Sequence, residues 1–486
     1  MHHAGYIDGA FIIGQGVSFM VDNPSDESVV ATVCGASLAQ VSDAIAAARR
    51  AFDDGRWSLL SSNERAQCLR RLGEALAKRT EKLTELAVAE AGCPRSSGTM
   101  RAQVLTPLGQ INDIIDLFLT LPEFEENPLP LHERFNPMGQ VVQSLRRYTP
   151  IGVVAGFAAS NVPFYTAMWK VIPALMAGNT VILRPNQLTP LSALVFGEAA
   201  DEVGLPPGVL NVVIEGGLEG GRLLSTHPDV DMVAFTGSSP VGAQIMAQAA
   251  PTMKRMQLEL GGKSAAIYLP DSIDKATMGA ITVCVAHAGQ GCALGTRILV
   301  PEDSKPRVLD AMAAAVAKIR QGHAGDPATQ MGPVVSAAQR ARCEHIVGAA
   351  IEHGARITAG GKRPPHLDKG FYFQPTILDV PDNSNPAAQE EIFGPVVCVI
   401  GYRDVHHAVA MANDSKFGLS GYVYGQDRAA LLEVGLGIRS GTVQVNAPIA
   451  SAYASAGGQR MSGIGRERGI EGLRQYQHIS TLNMGA

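Results

Sequence analysis

From Ile151 onward, short β-rich runs alternate with helical stretches, and this rhythm constrains the fold more than any other feature of the chain. The runs "IGVVAGF", "TVILRP", "VLNVVI" and "DMVAFTG" are separated by segments such as "PLSALVFGEAADEVG". Strands alternating with helices imply a parallel sheet with right-handed crossovers. Ligands bind such sheets beyond the carboxyl ends of the strands, so functional residues are expected just after these runs. A second α/β series follows Cys292, through "TRILVP", "VLDAMAAAVAKIRQG" and "EEIFGPVVCVIGY". The first third reads as mostly helical. There "SSNERAQCLRRLGEALAKRTEKLTELAVAEAG" opens with Ser61 three residues before Glu64, the pattern of a capping box. It carries Leu69, Leu72, Leu76, Leu83 and Leu86 at helical spacing and closes at Gly92. "LPEFEENPLPLHERFNPMGQ" reads as a connector or a projecting hairpin, and no internal repeat is evident.

With 486 residues the chain has material for about three domains. Its formal charge of −5 and the absence of any basic block argue against a nucleic-acid partner. Seven scattered cysteines without a CxxC pair make a zinc site or a disulfide framework an unfavoured reading, and fit reduced thiols in the cytoplasm. The opening "MHHAGYIDGAFI" has no basic segment followed by an apolar core, so no export signal is expected. The stretch Tyr148–Trp169 carries no charge and superficially suggests a membrane span. Its Gly152, Gly156, Ser160, Asn161 and Pro163 fit a buried strand, a loop and the start of a helix better.

Several residues invite chemistry, each with a bland counterpart. "GGKS" at 261–264 lacks the upstream glycine of a phosphate loop, because Gln257 stands there, and GxGxxG is absent. In "FTGSSPVG", Gly237 and Ser238 leave a strand for a helix start, which can receive a phosphate but is more often an ordinary turn. Asn161 in "ASNVPFY" either braces a loop or aims an amide at a developing oxyanion. Glu259 in "QLELGGKS" lies on an apolar strand, where burial would raise its pKa toward the range of a general base. Cys292 in "HAGQGCALGTR" is flanked by Gly289, Gly291 and Ala293, which clear space around the sulfur as an accessible nucleophile requires. The other six cysteines read as small core residues. His287 could pair with Cys292, although local histidines are more often structural.

In order, "ASNVPFYTAMWKVIPALMAGNTVILRPNQLTP", "FTGSSPVG", "LELGGKS", "GQGCALGTR", "EEIFGPV" and "SGIGRERG" resemble the aldehyde dehydrogenase superfamily of non-acylating type over essentially the entire chain. The resemblance implies an α/β fold with a Rossmann-like cofactor domain (1–127 and 150–258), an α/β catalytic domain (259–465) and a small bridging β element for oligomerisation (128–149 and 466–486). It implies that Cys292 attacks an aldehyde, and that Asn161 and the Cys292 backbone N–H hold the oxyanion. Glu259 then activates water to hydrolyse the thioester. It places Gly237, Ser238, Val241 and Leu260 at the cofactor's pyrophosphate side and Glu391 and Phe393 at the nicotinamide and its ribose. Arg184 and Gln187 fall at the adenosine ribose, with Gly217 and Gly221 lining that end.

The sequence departs from the family at informative places. Arg184 and Gln187 replace a common lysine and glutamate, so either NAD or NADP fits. Ser160 stands where tryptophan is frequent, His287 where asparagine is frequent, and His478 where a late glutamate is frequent. The positions that resemble the substrate funnel are Val162, Tyr165, Trp169, Gly291, Ala293, Tyr453 and Ala456. No arginine falls among them, and Val162 and Ala456 are small, which implies a roomy entrance for an apolar or aromatic aldehyde. A homodimer or homotetramer is expected from the hairpin edge, with a small-molecule aldehyde as substrate, no metal, and neither membrane nor nucleic acid as partner. The rivals are a CoA-acylating relative, a cofactor-independent cysteine hydrolase using His287, and a binding protein on a retired enzyme fold.

Overall fold

The computed structural model describes residues 5–446 and 451–485, so the first four residues of the opening segment lie outside it. Two α/β sheets organise the chain. The first has eight strands in the order Gly463–Ile464, Arg255–Glu259, Met232–Thr236, Val153–Phe157, Thr180–Arg184, Leu210–Val213, Gly5–Ile7 and Ala10–Ile12. Its five central strands, from Arg255–Glu259 to Leu210–Val213, are parallel, as the alternating runs predict. Largely apolar, buried strands of this kind require cover on both faces. One face carries Ile45, Val153, Ile182 and Val233, the other Val154, Leu183, Trp169 and Met232, all buried.

The second sheet has seven strands in the order Arg356–Ala359, Thr376–Asp379, Val396–Tyr402, Arg297–Pro301, Ala265–Tyr268, Ser420–Tyr424 and Thr442–Val445. Only its first strand is antiparallel to its neighbour. Residues 260–264 carry the chain directly from the first sheet to the second.

The stretch 148–169 runs through the strand ends at Pro150 and Phe157, a loop, and the start of the helix Pro163–Met176. Among the described residues no helix is long and apolar enough to cross a membrane. The capping box at Ser61 and Glu64 forms, with both reciprocal hydrogen bonds present. The helical run it opens is two helices rather than one, Ser62–Ala77 and Thr80–Ala91. The break lies at Arg79, whose guanidinium pairs with Glu198 and Glu202 of a neighbouring helix. The Thr80 hydroxyl meanwhile satisfies the Ala77 carbonyl. Leucine spacing cannot reveal such a break, because Leu69, Leu72 and Leu76 before it and Leu83 after it are all buried.

A separate three-stranded sheet joins Phe124–Glu126, Val142–Pro150 and the tail strand Gln477–Gly485. Its pairing begins at Phe124, and its last strand begins at Gln477. Gly463–Ile464, read as catalytic-domain sequence, instead adds an antiparallel edge strand beside Glu259. The tail strand is an edge with Ile479, Leu482 and Met484 exposed.

Candidate active site

The carboxyl edge of the eight-stranded sheet collects Glu259, Thr236, Phe157 and Arg184 at the ends of adjacent parallel strands, with Thr236 opposite Glu259 and Phe157 opposite Arg184. Asn161 lies in the loop after Phe157, and Gly237 and Ser238 follow Thr236. The seven-stranded sheet contributes from the other end. Cys292 precedes the strand Arg297–Pro301, and Glu391 and Phe393 precede Val396–Tyr402. The expectation that functional residues follow their strands therefore holds for the first sheet and is reversed for the second.

Cys292 occupies a backbone of unusual shape. His287, Ala288 and Gly289 stand in succession in the left-handed region, at φ of 49°, 52° and 75°. Such conformations are costly away from glycine and tend to cluster at functional sites. Gly262 lets the loop approach, since a Cβ there would stand 2.5 Å from the Cys292 carbonyl oxygen. The Gly262 amide donates to Glu391 Oε1 at 2.9 Å. Cys292 is half-buried, and burial pushes its thiol up to about 12, reinforced by the carboxylates of Glu391 and Glu259 and opposed by Arg468 and the Ala293 amide. The resting group is a thiol, so attack requires a base.

Asn161 is fixed from both sides. Its Nδ2 donates to the Gln290 carbonyl at 2.7 Å, leaving the second amide hydrogen available, while its own carbonyl accepts from Gln103 Nε2 at 2.7 Å. The same Gln103 nitrogen lies 3.1 Å from His287 Nδ1, so this imidazole nitrogen accepts. Burial pushes His287 down to about 4, which keeps it neutral. No hydrogen bond joins it to Cys292 among the described residues, and its ring braces the Asn161 loop through Gln103. That removes the geometric basis of a cysteine–histidine pair.

Glu259 is half-buried, with Oε1 enclosed and lacking a hydrogen-bond partner among the described residues. A Cβ on Gly457 would come within 2.9 Å of that oxygen. Burial first, and the Glu467 carboxylate second, raise Glu259 to about 8, against the pull of Lys170, Arg468 and Arg466. Glu467 itself bonds Lys170 Nζ at 2.7 Å, and Lys170 is fully buried. His478, at the position expected for the late glutamate, lies exposed on the tail strand opposite Thr149. The late carboxylate that acts on Glu259 is Glu467. Sequence reading missed it because Lys170 and Glu467 stand 297 residues apart.

Of the entrance positions, Tyr165 and Trp169 lie on the helix Pro163–Met176, with Val162 just before it. Gly291 and Ala293 flank Cys292, and the Ala293 carbonyl accepts from Tyr422 at 2.8 Å. Ala456 exchanges backbone bonds with Glu467 at 2.7 and 2.8 Å. Tyr453 is exposed and feels Asp113 and Asp116. A cation does reach this group. The Arg468 guanidinium lies 5.4 Å from the Tyr165 ring centroid and 5.6 Å from that of Trp169.

At the nucleotide end, Ser238 precedes the helix Ser239–Ala249 and makes no side-chain cap bond, and the enclosed Thr236 Oγ1 has no partner among the described residues. Uncapped helix amides beside an unsatisfied hydroxyl suit a phosphate. Val241 is exposed on the first turn, and Leu260 packs under Gly242, where a Cβ would meet it at 2.6 Å. Phe393, at φ 58°, is held through its carbonyl by Gln339 at 2.8 Å. Gln187 is exposed. Arg184 is engaged by the chain itself, with Nε 2.6 Å from Glu215 and Nη2 2.8 Å from the Gly217 carbonyl. Glu215 also accepts from the Gly220 and Gly221 amides, each at 2.8 Å. Glu215 was not singled out from sequence, although "IEGG" after an apolar strand puts a carboxylate where the nucleotide would lie.

The model of the aldehyde dehydrogenase family matches residues 11–482. The chain belongs to that family. This aldehyde dehydrogenase is 33% identical over 485 residues to betaine aldehyde dehydrogenase of Bacillus subtilis (strain 168), covering 98% of this chain and 96% of that one. Among solved structures, it is similar to a cysteine-to-alanine mutant of aldehyde dehydrogenase C from Pseudomonas syringae in complex with NAD+ and octanal. The TM-score is 0.92 and the identity 37%, with 99% and 96% of the two chains covered. Betaine aldehyde dehydrogenase from Staphylococcus aureus with NAD+ matches at TM-score 0.93 and 33% identity, over 100% and 95% of the chains. The dehydrogenase is therefore an oxidoreductase acting on aldehydes.

Proposed function

We propose that this dehydrogenase oxidises apolar, uncharged aldehydes to carboxylic acids with NAD, using Cys292 as nucleophile. The observation that carries the reading is the convergence of Cys292, Asn161 and Glu259 from two sheets, with an enclosed carboxylate oxygen on Glu259 free to take a proton. Glu259 accepts the thiol proton as sulfur bonds to the aldehyde carbon. The Asn161 amide and the Cys292 backbone N–H stabilise the oxyanion of the thiohemiacetal. The nicotinamide cofactor, when bound, supplies the hydride acceptor. What remains on sulfur is a thioester. Once Glu259 has passed the thiol proton to solvent, it deprotonates a water that attacks the thioester carbon. The C–S bond breaks, the acid leaves, and the proton held by Glu259 returns to the Cys292 sulfur. Lys170 and Glu467, paired behind Glu259, tune its proton affinity through charge.

The nucleotide end supports NAD over NADP. A 2′-phosphate would meet the Glu215 carboxylate, and Arg184, which would otherwise receive that phosphate, already serves Glu215 and Gly217. The loss of the family's usual glutamate at 187 is thus offset from another strand end. The relative solved with NAD+ and octanal lends weight to an apolar substrate. The open outer edge of the tail strand, with Ile479 and Leu482 exposed, supports a homo-oligomer.

A panel of straight-chain and aromatic aldehydes, run with NAD and with NADP and read by ultraviolet absorbance, tests this reading. Product analysis with and without CoA accompanies it. Turnover with NAD to the free acid is expected, and obligatory acyl-CoA formation or exclusive use of NADP would overturn it.

A further inference from the structure

Among the described residues, Arg468 is the one charged side chain set against two of the aromatic residues expected at the entrance. Its guanidinium covers the faces of Tyr165 and Trp169 at 5.4 and 5.6 Å, and it donates to the Tyr165 hydroxyl. No carboxylate lies within ion-pair distance of it among the described residues, whereas its neighbour Glu467 is already paired with Lys170. Its Nε is enclosed and unpartnered among the described residues. The backbone holds it at φ 61°, a conformation a non-glycine residue keeps only where its surroundings impose it. Both Cys292 and Glu259 feel its charge, so it lies close to the reacting atoms.

Aromatic faces near a reactive centre are a natural seat for a quaternary ammonium. Here the chain's own cation occupies that seat, with no carboxylate in ion-pair contact with it among the described residues. We propose that Arg468 is a specificity-determining residue that excludes positively charged aldehydes from the Cys292 site and reserves it for neutral or anionic ones. This rests on the reading of Cys292 as the nucleophile and deepens it by fixing the charge class of the substrate.

The test compares two aldehydes of one shape, betaine aldehyde and its neutral carbon isostere 3,3-dimethylbutanal. Their kcat/KM ratio is measured for the wild type, Arg468→Leu and Arg468→Lys with NAD. Hydration of the charged aldehyde cancels, because the same pair is compared across variants. Arg468→Leu should raise the charged-to-neutral ratio on the order of 50-fold, the effect of like charges about 7 Å apart at the effective dielectric of partly buried sites. Arg468→Lys should leave the ratio within a few-fold of wild type. A ratio unmoved by leucine, or moved as far by lysine as by leucine, overturns the proposal. A second measurement needs no variant. Choline and 3,3-dimethylbutan-1-ol, isosteric inhibitors, are titrated against wild-type oxidation of the neutral aldehyde. The neutral alcohol should inhibit at the lower concentration, and equal or tighter inhibition by choline overturns the proposal. If the wild type oxidises no neutral aldehyde at all, the nucleophile reading itself fails and this one falls with it. Brisk oxidation of both aldehydes would sink only the role of Arg468.

Discussion

Replacing Glu259 with glutamine keeps the shape of the side chain and removes its ionisation. With its pKa raised to about 8, Glu259 is about one-tenth ionised at pH 7, half at pH 8 and nine-tenths at pH 9. A base acts only when deprotonated. Thioester hydrolysis in the wild type should therefore rise about five-fold from pH 7 to 8 and less than two-fold from 8 to 9. In Glu259→Gln the steady rate should fall by about 10²- to 10⁴-fold and lose the break near pH 8. Stopped-flow absorbance should show a burst of reduced cofactor near one equivalent per active site, slower than in the wild type because solvent must take the thiol proton in place of Glu259. Stability gives an independent reading of the same group. The folded protein keeps a proton that the unfolded chain releases above its ordinary carboxyl value, so Glu259 costs stability progressively as pH rises from about 4.5 to about 8. The full cost is on the order of 5 kcal/mol. Glu259→Gln should thus gain thermal stability relative to wild type as pH rises from 6 to 8.5. A pH break that survives in the variant, normal steady turnover, or a stability difference that ignores pH would refute the assignment.

Cys292→Ala should form no reduced cofactor with any aldehyde while still binding NAD, checked by titrating tryptophan fluorescence. Asn161→Ala should lower kcat by about 10²- to 10³-fold, the loss of one oxyanion donor, without changing the dissociation constant for NAD measured by calorimetry. Glu215→Gln should raise the kcat/KM ratio of NADP to NAD by at least about ten-fold, since it removes a charge facing a 2′-phosphate and frees Arg184 to meet it. Lys170→Met strands the Glu467 carboxylate in a nearly closed site, and removing one partner of a buried pair costs about 3–5 kcal/mol. Its melting temperature should drop by several degrees in a differential scan.

The parallel strands and the positions of Cys292, Asn161 and Glu259 were legible in the sequence because each sits in a short apolar run or beside small residues that betray it locally. Three residues that shape the site were not. Glu467 reaches Lys170, and Arg468 reaches Tyr165, across 297 and 303 residues, distances over which no spacing rule operates. Glu215 pairs with Arg184 only because two neighbouring parallel strands end side by side. His478 misled for the complementary reason. Its sequence position resembles that of a family glutamate, yet strand pairing turns it to the exposed edge. The break at Arg79 escaped notice because an ion pair, rather than a glycine or proline, marks it.

Gly262 has a consequence for protein engineering. Its amide hydrogen serves Glu391, and its missing side chain makes room for the Cys292 carbonyl. The crossover between the two halves is thus a joint that sets where the sulfur sits. A chimera that grafts another dehydrogenase's nucleotide half onto this one should place its seam away from 260–264. A seam inside it would misalign Cys292 even if both halves folded perfectly.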